Sequence, residues 1–304
     1  MRMYQVDAFT DRLFAGNPAA VLVLDDWLPD DLMLAITQEN NLAETAFVKA
    51  RSDGAWDLRW FAPAHEVNFC GHATLATAHV LLTETETEIE AKAEAPLVFH
   101  TRAGELRVTQ GPHGYRLDIP RLPPEPLETL PAEIARVFDN QPVGIFRNFE
   151  NIFADLGSAD AVRSFVPDLA SIARLGSVGL VVTGQEAANG RAHFVSRYFA
   201  PGAGIAEDPV TGSIHATLVP YWAERLGHKR LMAFQASARG GWLDCELTED
   251  RVFLVGNAVT FMKATISLPN GAAWTLSVTA AESPGSRSNF ARRASARHPK
   301  TNSN

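Results

Sequence analysis

The chain has 304 residues, of which 46% are hydrophobic and 20% charged, and its formal net charge is −8. This balance excludes a disordered or fibrous chain, and the length predicts two domains. No apolar run reaches the roughly 18 residues of a membrane span, and the acidic charge disfavours nucleic acid as a partner. Two cysteines are too few for a disulfide framework, and the first residues lack the apolar segment of a secretory signal. We therefore expect a cytoplasmic protein.

Short strand-like runs dominate the chain. They lie at Tyr4–Phe9, Ala20–Leu24, Glu44–Ala50, Trp56–Phe61, Leu97–Thr109 and Tyr115–Ile119. Between the second and third runs, the sequence Pro29-Asp30-Asp31 predicts the start of a helix, because proline and acidic residues suit the first turn. Further on, the prolines of residues 120–126 and Pro131 form the densest proline cluster and predict a domain boundary.

We accordingly expect an N-terminal domain over residues 1–118, a proline-rich crossover over 119–131 and a C-terminal domain over 132–282. Whether the last strands return to the first domain is left open. Residues 283–304 contain five Lys or Arg and no acid, which predicts a disordered basic tail. The total of −8, less +5 for that tail, leaves −13 for the folded body. Such a body does not attract small anions over its whole surface, so any carboxylate site needs local donors.

An internal repeat organises the chain. Residues 61–75 read FAPAHEVNFCGHATL, and residues 199–218 read FAPGAGIAEDPVTGSIHATL. Phe61 corresponds to Phe199 and Gly71 to Gly212, with a loop three residues longer in the second copy. Each copy follows a predicted strand, so we interpret the repeat as a duplication.

The segments after these two glycines predict two unusual helices. Both are apolar around nearly the whole circumference, as is typical of a buried helix rather than one at the surface. Each half of the chain is therefore expected to be a curled sheet around a central helix, in the α+β class. Pro220 lies inside the second helix and is expected to kink or split it.

The starts of these helices are candidate anion sites. Backbone N–H groups at a helix N-terminus lack intrahelical acceptors and carry partial positive charge. Amides at Gly71 and Ala73, and at Gly212 and Ser213, would then hold a carboxylate. The alternative, that both glycines only permit tight turns, is left open by the spacing.

Glu44 is a candidate general acid or base. Strand alternation puts it on one face with Leu42, Ala46 and Val48, and apolar surroundings raise the pKa of a carboxyl group toward neutrality. The alternative is a glutamate at a strand end that reaches solvent. His72 and Asp208 flank the two glycine turns, and both side chains can relay or stabilise a proton.

Other chemistries find less support in the sequence. His65, Cys70 and His72 fit no common zinc spacing, so no metal is expected. Ser213 lacks the second glycine of a nucleophile elbow, and no P-loop or dinucleotide-binding glycine motif occurs, so no cofactor is expected. The repeat places Thr211 opposite Cys70, and a threonine hydroxyl is too weak an acid for a symmetric two-thiol racemase. Cys245 shares a strand face with leucines and is predicted to be a buried structural thiol.

Four motifs in order resemble the phenazine-biosynthesis PhzF family. They are FxGNPAAV (Phe14–Val21), NNLAETAFV (Asn40–Val48), CGHATLA (Cys70–Ala76) and EDPVTGS (Glu207–Ser213), and the similarity extends over about residues 4–265. That family resembles diaminopimelate epimerase in fold, with two similar domains, each a β-barrel around a central helix. The active site lies between them.

The resemblance implies an isomerase that moves a proton without cofactor or metal. Glu44 would take a proton from one substrate carbon and return it at another, and His72 and Asp208 would assist. Amides after Gly71 and Gly212, with the Ser213 hydroxyl, would bind the carboxylate of a small substrate. Cys70 and Asn17 lie within the motifs and are further candidates. A homodimer is also implied.

The family's founding activity, isomerisation of a dihydro-hydroxyanthranilate, does not transfer by resemblance alone. Two alternatives therefore stay open. One is a racemase or epimerase of an amino or hydroxy acid that depends on Cys70. The other is a ligand-binding protein that keeps the fold without catalysis.

Overall fold

A computed structural model describes residues 1–85 and 95–268, which fold mainly as β-strands. The predicted basic tail at residues 283–304 lies outside these described residues. The elements of the first half are β1 (Arg2–Ala8), β2 (Asn17–Leu24), α1 (Asp30–Asn40), β3 (Glu44–Ala50), β4 (Trp56–Ala62), β5 (His65–Val67), α2 (Gly71–Thr83), β6 (Leu97–Thr101), β7 (Gly104–Gly111) and β8 (Gly114–Pro120).

The second half repeats this order, with two short helices in place of α1 and an additional strand at each end. Its elements are β9 (Glu125–Pro126), β10 (Gly144–Arg147), β11 (Asn151–Asp155), α3 (Ala159–Ser164), α4 (Leu169–Ala173), β12 (Gly179–Gln185), β13 (Phe194–Ala200), β14 (Ile205–Asp208), α5 (His215–Leu226), β15 (Arg230–Gln235), β16 (Gly241–Leu247), β17 (Arg251–Gly256) and β18 (Ala258–Thr265). A 3₁₀ turn at Pro201–Ala203 precedes β14.

Strand pairing confirms the pseudo-repeat. In the first half, β2 runs antiparallel to β1 and parallel to β3, and β4 is antiparallel to β3 and parallel to β6. In the second half, β11, β10, β12, β13 and β15 repeat this pattern strand for strand. The pairing of β17 with β8 joins the halves, and β18 pairs with β1. The parallel steps β4 to β6 and β13 to β15 each cross over through a helix, as parallel strands require.

The two crossover helices are the buried helices of the prediction. Ten of the 13 residues of α2 and nine of the 12 of α5 are buried. Helix α2 packs against β1, β2, β3, β8 and β18, and α5 packs against β15, β16 and β17. Each half is therefore a curled sheet around a central apolar helix, since a helix that is apolar all round is stable only when enclosed.

Pro220 neither splits α5 nor leaves a carbonyl unpaired. The helix runs from His215 through Pro220 to Leu226. Proline has no N–H to donate to the carbonyl four residues earlier, that of Ala216. The N–H of Leu122, from the segment after β8, donates to that oxygen at 3.0 Å. The expected split was therefore wrong, because the proline-rich segment supplies the missing donor, and the expected kink stays a prediction.

Two local predictions also need correction. The run Leu97–Thr109 is two antiparallel strands, β6 and β7, since the chain turns between Thr101 and Gly104. Strand β3 begins at Glu44, so Leu42 precedes it and packs with the cluster around α1, whereas Ala46 and Val48 belong to the core around α2. The other predicted strands agree with the observed ones to within a few residues. Among the described residues, no helix is long and apolar enough to cross a membrane.

Candidate active site

The starts of the two central helices meet. A Cβ atom built on Gly71 would lie 3.5 Å from the Cα atom of Gly212, and one built on Gly212 would lie 3.6 Å from Cα of Gly71. Neither glycine has a positive φ. The two helix starts therefore lie in van der Waals contact, and neither glycine is required by a left-handed backbone conformation.

Each helix start has amides ahead of the first intrahelical bond. In α2 that bond runs from Thr74 N–H to the Cys70 carbonyl, so the amides of Gly71, His72 and Ala73 precede it. In the second half the turn into α5 begins with His215 N–H donating to the Gly212 carbonyl, so the amides of Gly212 and Ser213 precede that bond. Two positive helix ends thus face one region, which suits an anion.

Glu44 lies beside the start of α2. It is the first residue of β3, and its side chain is 13% exposed. Its Oε2 atom lies 3.2 Å from Nε2 of His72, whose side chain is 5% exposed. The structure therefore brings two of the predicted catalytic side chains together, in an almost closed environment.

Asn17 connects this pair to Asp208. Its Nδ2 atom lies 3.2 Å from Nδ1 of His72, 2.8 Å from Oδ1 of Asp208 and 2.9 Å from the carbonyl of Val210. The carbonyl can only accept, which fixes the amide orientation. The amide has two hydrogens for these three acceptors, and its two shorter contacts run to Asp208 and to the Val210 carbonyl, with Nδ1 of His72 as the longest of the three.

Asp208 is held from the second half of the chain. Its carboxylate also accepts a short hydrogen bond from the Thr211 hydroxyl. The fully buried Gln235 donates to the Asp208 carbonyl at 2.8 Å and accepts from the Thr211 N–H at 2.8 Å. Gln235 was not predicted as a site residue. It comes from β15, and no motif in the sequence links that strand to the site.

Burial sets the protonation of the three central groups. It raises the pKa of Glu44 from 4.5 to about 8, and the negative charge of Asp208 adds to the rise. Burial also raises the pKa of Asp208 to about 6, although hydrogen bonds from Thr211 and Asn17 oppose it. The pKa of His72 falls to about 3, because its charged form is desolvated. Near pH 7, Glu44 and His72 are therefore mostly neutral and Asp208 is ionised.

Two buried oxygens of the site have no hydrogen-bond partner among the described residues, namely Oδ1 of Asn17 and Oε2 of Glu44. The Glu44 oxygen is close to His72, but the two groups are not aligned as a hydrogen bond. Buried polar atoms are nearly always satisfied in folded proteins, so each such oxygen calls for an explanation, of which a bound ligand is one.

Cys70 is adjacent to this group. Its Sγ atom lies 3.5 Å from Nδ1 of His72, and burial, followed by the negative charge of Glu44, raises the pKa of the thiol. The thiol therefore stays protonated and is a poor base. Cys245 is fully buried beside Leu243, as predicted.

Glu44, Cys70 and His72 each present a ligand atom within 4.8 Å of the other two, so they are the residues that a metal ion would use. His65, which the sequence set beside Cys70, lies exposed on β5. A second buried histidine, His215, contacts the Thr211 carbonyl through Nδ1 at 2.9 Å and belongs to the helix core.

Comparisons with family models, curated sequences and solved structures all identify the same protein family. A model of the family described as phenazine biosynthesis-like protein, PhzC-PhzF, matches residues 6–264. A Pseudomonas aeruginosa protein described as an uncharacterized isomerase is 44% identical over 268 residues, which are 88% of this chain and 99% of that protein. The crystal structure of a PhzF family protein from Enterococcus faecalis has 41% identity and a TM-score of 0.80, covering 88% of this chain and 99% of that one.

A more distant structure extends the likeness of fold alone. A probable proline racemase from Agrobacterium radiobacter has 12% identity and a TM-score of 0.57, over 88% of this chain and 93% of that one. These likenesses confirm the predicted α+β, diaminopimelate epimerase-like fold with two pseudo-repeated domains.

Proposed function

Because the chain belongs to the PhzC-PhzF, phenazine biosynthesis-like family, we propose that it is a cofactor-independent isomerase that moves a proton between two carbons of a small carboxylate. The observation that carries this proposal is the buried Glu44 carboxyl group beside the paired helix starts. Its pKa of about 8 suits a group that both takes and returns a proton near neutrality.

The substrate carboxylate would bind to the amides of Gly71 and Ala73 and to those of Gly212 and Ser213, with the Ser213 hydroxyl as a further donor. These donors stabilise negative charge where the folded body as a whole repels it. They also acidify the neighbouring carbon, because removal of its proton pushes charge onto the carboxylate oxygens. The two helix ends therefore serve both binding and catalysis.

Glu44 would act in its ionised form. The bond between carbon and hydrogen breaks, the proton joins a Glu44 oxygen, and the electron pair spreads into the substrate as an enolate. The same proton, or one exchanged with solvent, then forms a bond to a second carbon and leaves Glu44 ionised again. No net oxidation or reduction occurs, so the step needs no redox partner.

His72 and Asp208 would position this group rather than exchange the substrate proton. Nε2 of His72 lies 3.2 Å from Oε2 of Glu44, and Asn17 contacts both the other ring nitrogen of His72 and the carboxylate of Asp208. Neutral His72 leaves Glu44 the proton carrier at physiological pH. Loss of either residue is expected to lower the rate without removing the carboxylate site.

The test is incubation of the wild-type protein in deuterated water with a panel of cyclic and acyclic hydroxy and amino acids. The proposal expects deuterium at a carbon of at least one carboxylate, detected by mass spectrometry and proton NMR. Tight binding of a small acid without exchange at any carbon would contradict it and support the ligand-binding alternative. The same panel without protein is the control for spontaneous exchange.

A further inference from the structure

The pseudo-repeat places a glycine at the position equivalent to Glu44. Thr45 pairs with Phe61 across β3 and β4, and Leu180 pairs with Phe199 across β12 and β13. Phe61 and Phe199 are equivalent in the repeat. Glu44 therefore corresponds to Gly179, and each is the first residue of its strand.

Asn151 and Tyr198 take the space that a side chain at Gly179 would need. A Cβ atom built on Gly179 would collide with Oδ1 of Asn151 and with Cε2 of Tyr198, and would lie 2.6 Å from the Tyr198 hydroxyl oxygen. The first-half equivalent of Tyr198 is Trp60, whose ring is 1% exposed. The second half thus has Gly179 where the first has Glu44, and Tyr198 where the first has Trp60. The hydroxyl group of Tyr198 therefore lies at the position equivalent to the Glu44 side chain.

Strand pairing shows that Tyr198 faces the site. Tyr198 and Asp208 are directly opposite each other on β13 and β14, and residues paired in this way project from the same face of a sheet. Asp208 contacts Asn17, so that face points into the site. Tyr198 is only partly buried, and its hydroxyl makes no hydrogen bond within residues 1–85 and 95–268.

From this placement we infer that Tyr198 is a substrate-contacting residue that donates a hydrogen bond to an oxygen on the substrate's carbon skeleton, from the side opposite Glu44. The inference rests on the proposed function and narrows its substrate class to carboxylates that carry a hydroxyl, carbonyl or enol oxygen. A phenol is a suitable donor because it is neutral and rigid.

The surroundings keep this phenol protonated. Burial raises the pKa of Tyr198, and the negative charges of Asp208, Glu150 and Glu44 raise it further. A group that cannot ionise at physiological pH cannot compete with Glu44 as the base. The geometry therefore separates the two roles, with proton transfer at Glu44 and recognition of oxygen at Tyr198.

The test measures binding and needs no turnover. Calorimetry would give the affinities of butyrate, its 2-, 3- and 4-hydroxy derivatives, benzoate, and 2- and 3-hydroxybenzoate for the wild type and Tyr198→Phe. In the wild type, at least one hydroxy acid is expected to bind about fivefold more tightly than its parent, the size of one neutral hydrogen bond. Tyr198→Phe should abolish this difference in affinity and leave the affinity for the parent acid unchanged.

Two further variants complete the design. Gly179→Ala places a methyl group against both the Tyr198 ring and the Asn151 side chain, and should weaken the preference for the hydroxy acid. Tyr115→Phe is the control, because it removes a hydroxyl that contacts His79. This variant should keep the wild-type preference for the hydroxy acid. The inference is overturned if no hydroxy acid binds more tightly than its parent, or if Tyr198→Phe retains the ratio. If the ratio behaves as expected while no carboxylate exchanges deuterium, the proposed function fails and the role of Tyr198 stands.

Discussion

Oε2 of Glu44 lies 3.2 Å from Nε2 of His72, and burial keeps both side chains neutral near pH 7. An ion pair at this distance would need His72 to be charged above its pKa of about 3. Desolvation of the imidazolium causes this low pKa, and no charge among the described residues offsets it. The pair is therefore a carboxylic acid beside a neutral imidazole, and Glu44 must lose its proton before it can act as a base.

The first prediction concerns pH. With a pKa of about 8, roughly one Glu44 in ten is ionised at pH 7. The rate of proton exchange at low substrate concentration should therefore rise about tenfold per pH unit up to pH 7 and reach a plateau above pH 8. Exchange measured from pH 5.5 to 9.5 checks this. A rate that is constant or falls over that range would exclude ionised Glu44 as the starting base.

The second prediction concerns stability. The Glu44 carboxyl holds its proton more tightly in the folded state, where its pKa is about 8, than in the unfolded chain, where it is near 4.5. The contribution of Glu44 to the free energy of unfolding is therefore complete below pH 4.5 and is lost as the pH rises through 8. Glu44→Gln carries no charge at any pH, so its melting temperature relative to the wild type should increase from pH 5 to 8.5.

Glu39→Gln is the matched control, because Glu39 is exposed on α1 of the same segment. Its melting temperature should follow that of the wild type at every pH. A difference between Glu44→Gln and the wild type that does not change with pH would show that the Glu44 pKa is not raised by folding.

The third prediction concerns Asn17. Asn17→Ala removes the donor that serves His72, Asp208 and the Val210 carbonyl. Buried acceptors left without a donor cost about 1–3 kcal/mol each, so unfolding by urea should show a loss of at least about 2 kcal/mol. Asn140→Ala, at an exposed position, should change stability by less than about 0.5 kcal/mol. Equal stability of the two variants would contradict the central place of Asn17.

The fourth prediction concerns Cys70. Because burial raises the pKa of its thiol and keeps it protonated, Cys70→Ala should retain proton exchange to within about tenfold. The folded protein should also react slowly with iodoacetamide at pH 7.5 and quickly in urea. Loss of exchange by more than about a hundredfold in Cys70→Ala, with the variant folded, would instead support the racemase alternative.

Much of this site was predictable because the repeat and the motifs are local in sequence. The apolar helices at Gly71 and Gly212 follow from hydrophobic periodicity, whereas the grouping of Glu44 with these helix starts followed from the resemblance of the motifs to the PhzF family. The same repeat aligns Trp60 with Tyr198, which is the signal that could have identified Tyr198. Gln235 had no such signal, because its contact with Asp208 depends on how β15 packs against β14 and its loop.

Pro220 shows the same limit. Local propensity predicts a broken helix, yet a donor from Leu122, nearly a hundred residues earlier, completes the hydrogen bonding. The contact depends on tertiary structure and leaves no trace in the segment around the proline. The division of the chain into domains at residues 119–131 stays a prediction.

The central claim is that Glu44 carries the proton. Once the panel provides a carboxylate that exchanges, its rate of deuterium incorporation should be compared in the wild type, Glu44→Gln and Glu39→Gln at pH 8. Glu44→Gln keeps the shape of the side chain but cannot accept a proton, so exchange should fall by about a thousandfold or more, whereas Glu39→Gln should match the wild type. A folded Glu44→Gln protein that incorporates deuterium at the wild-type rate would contradict the claim.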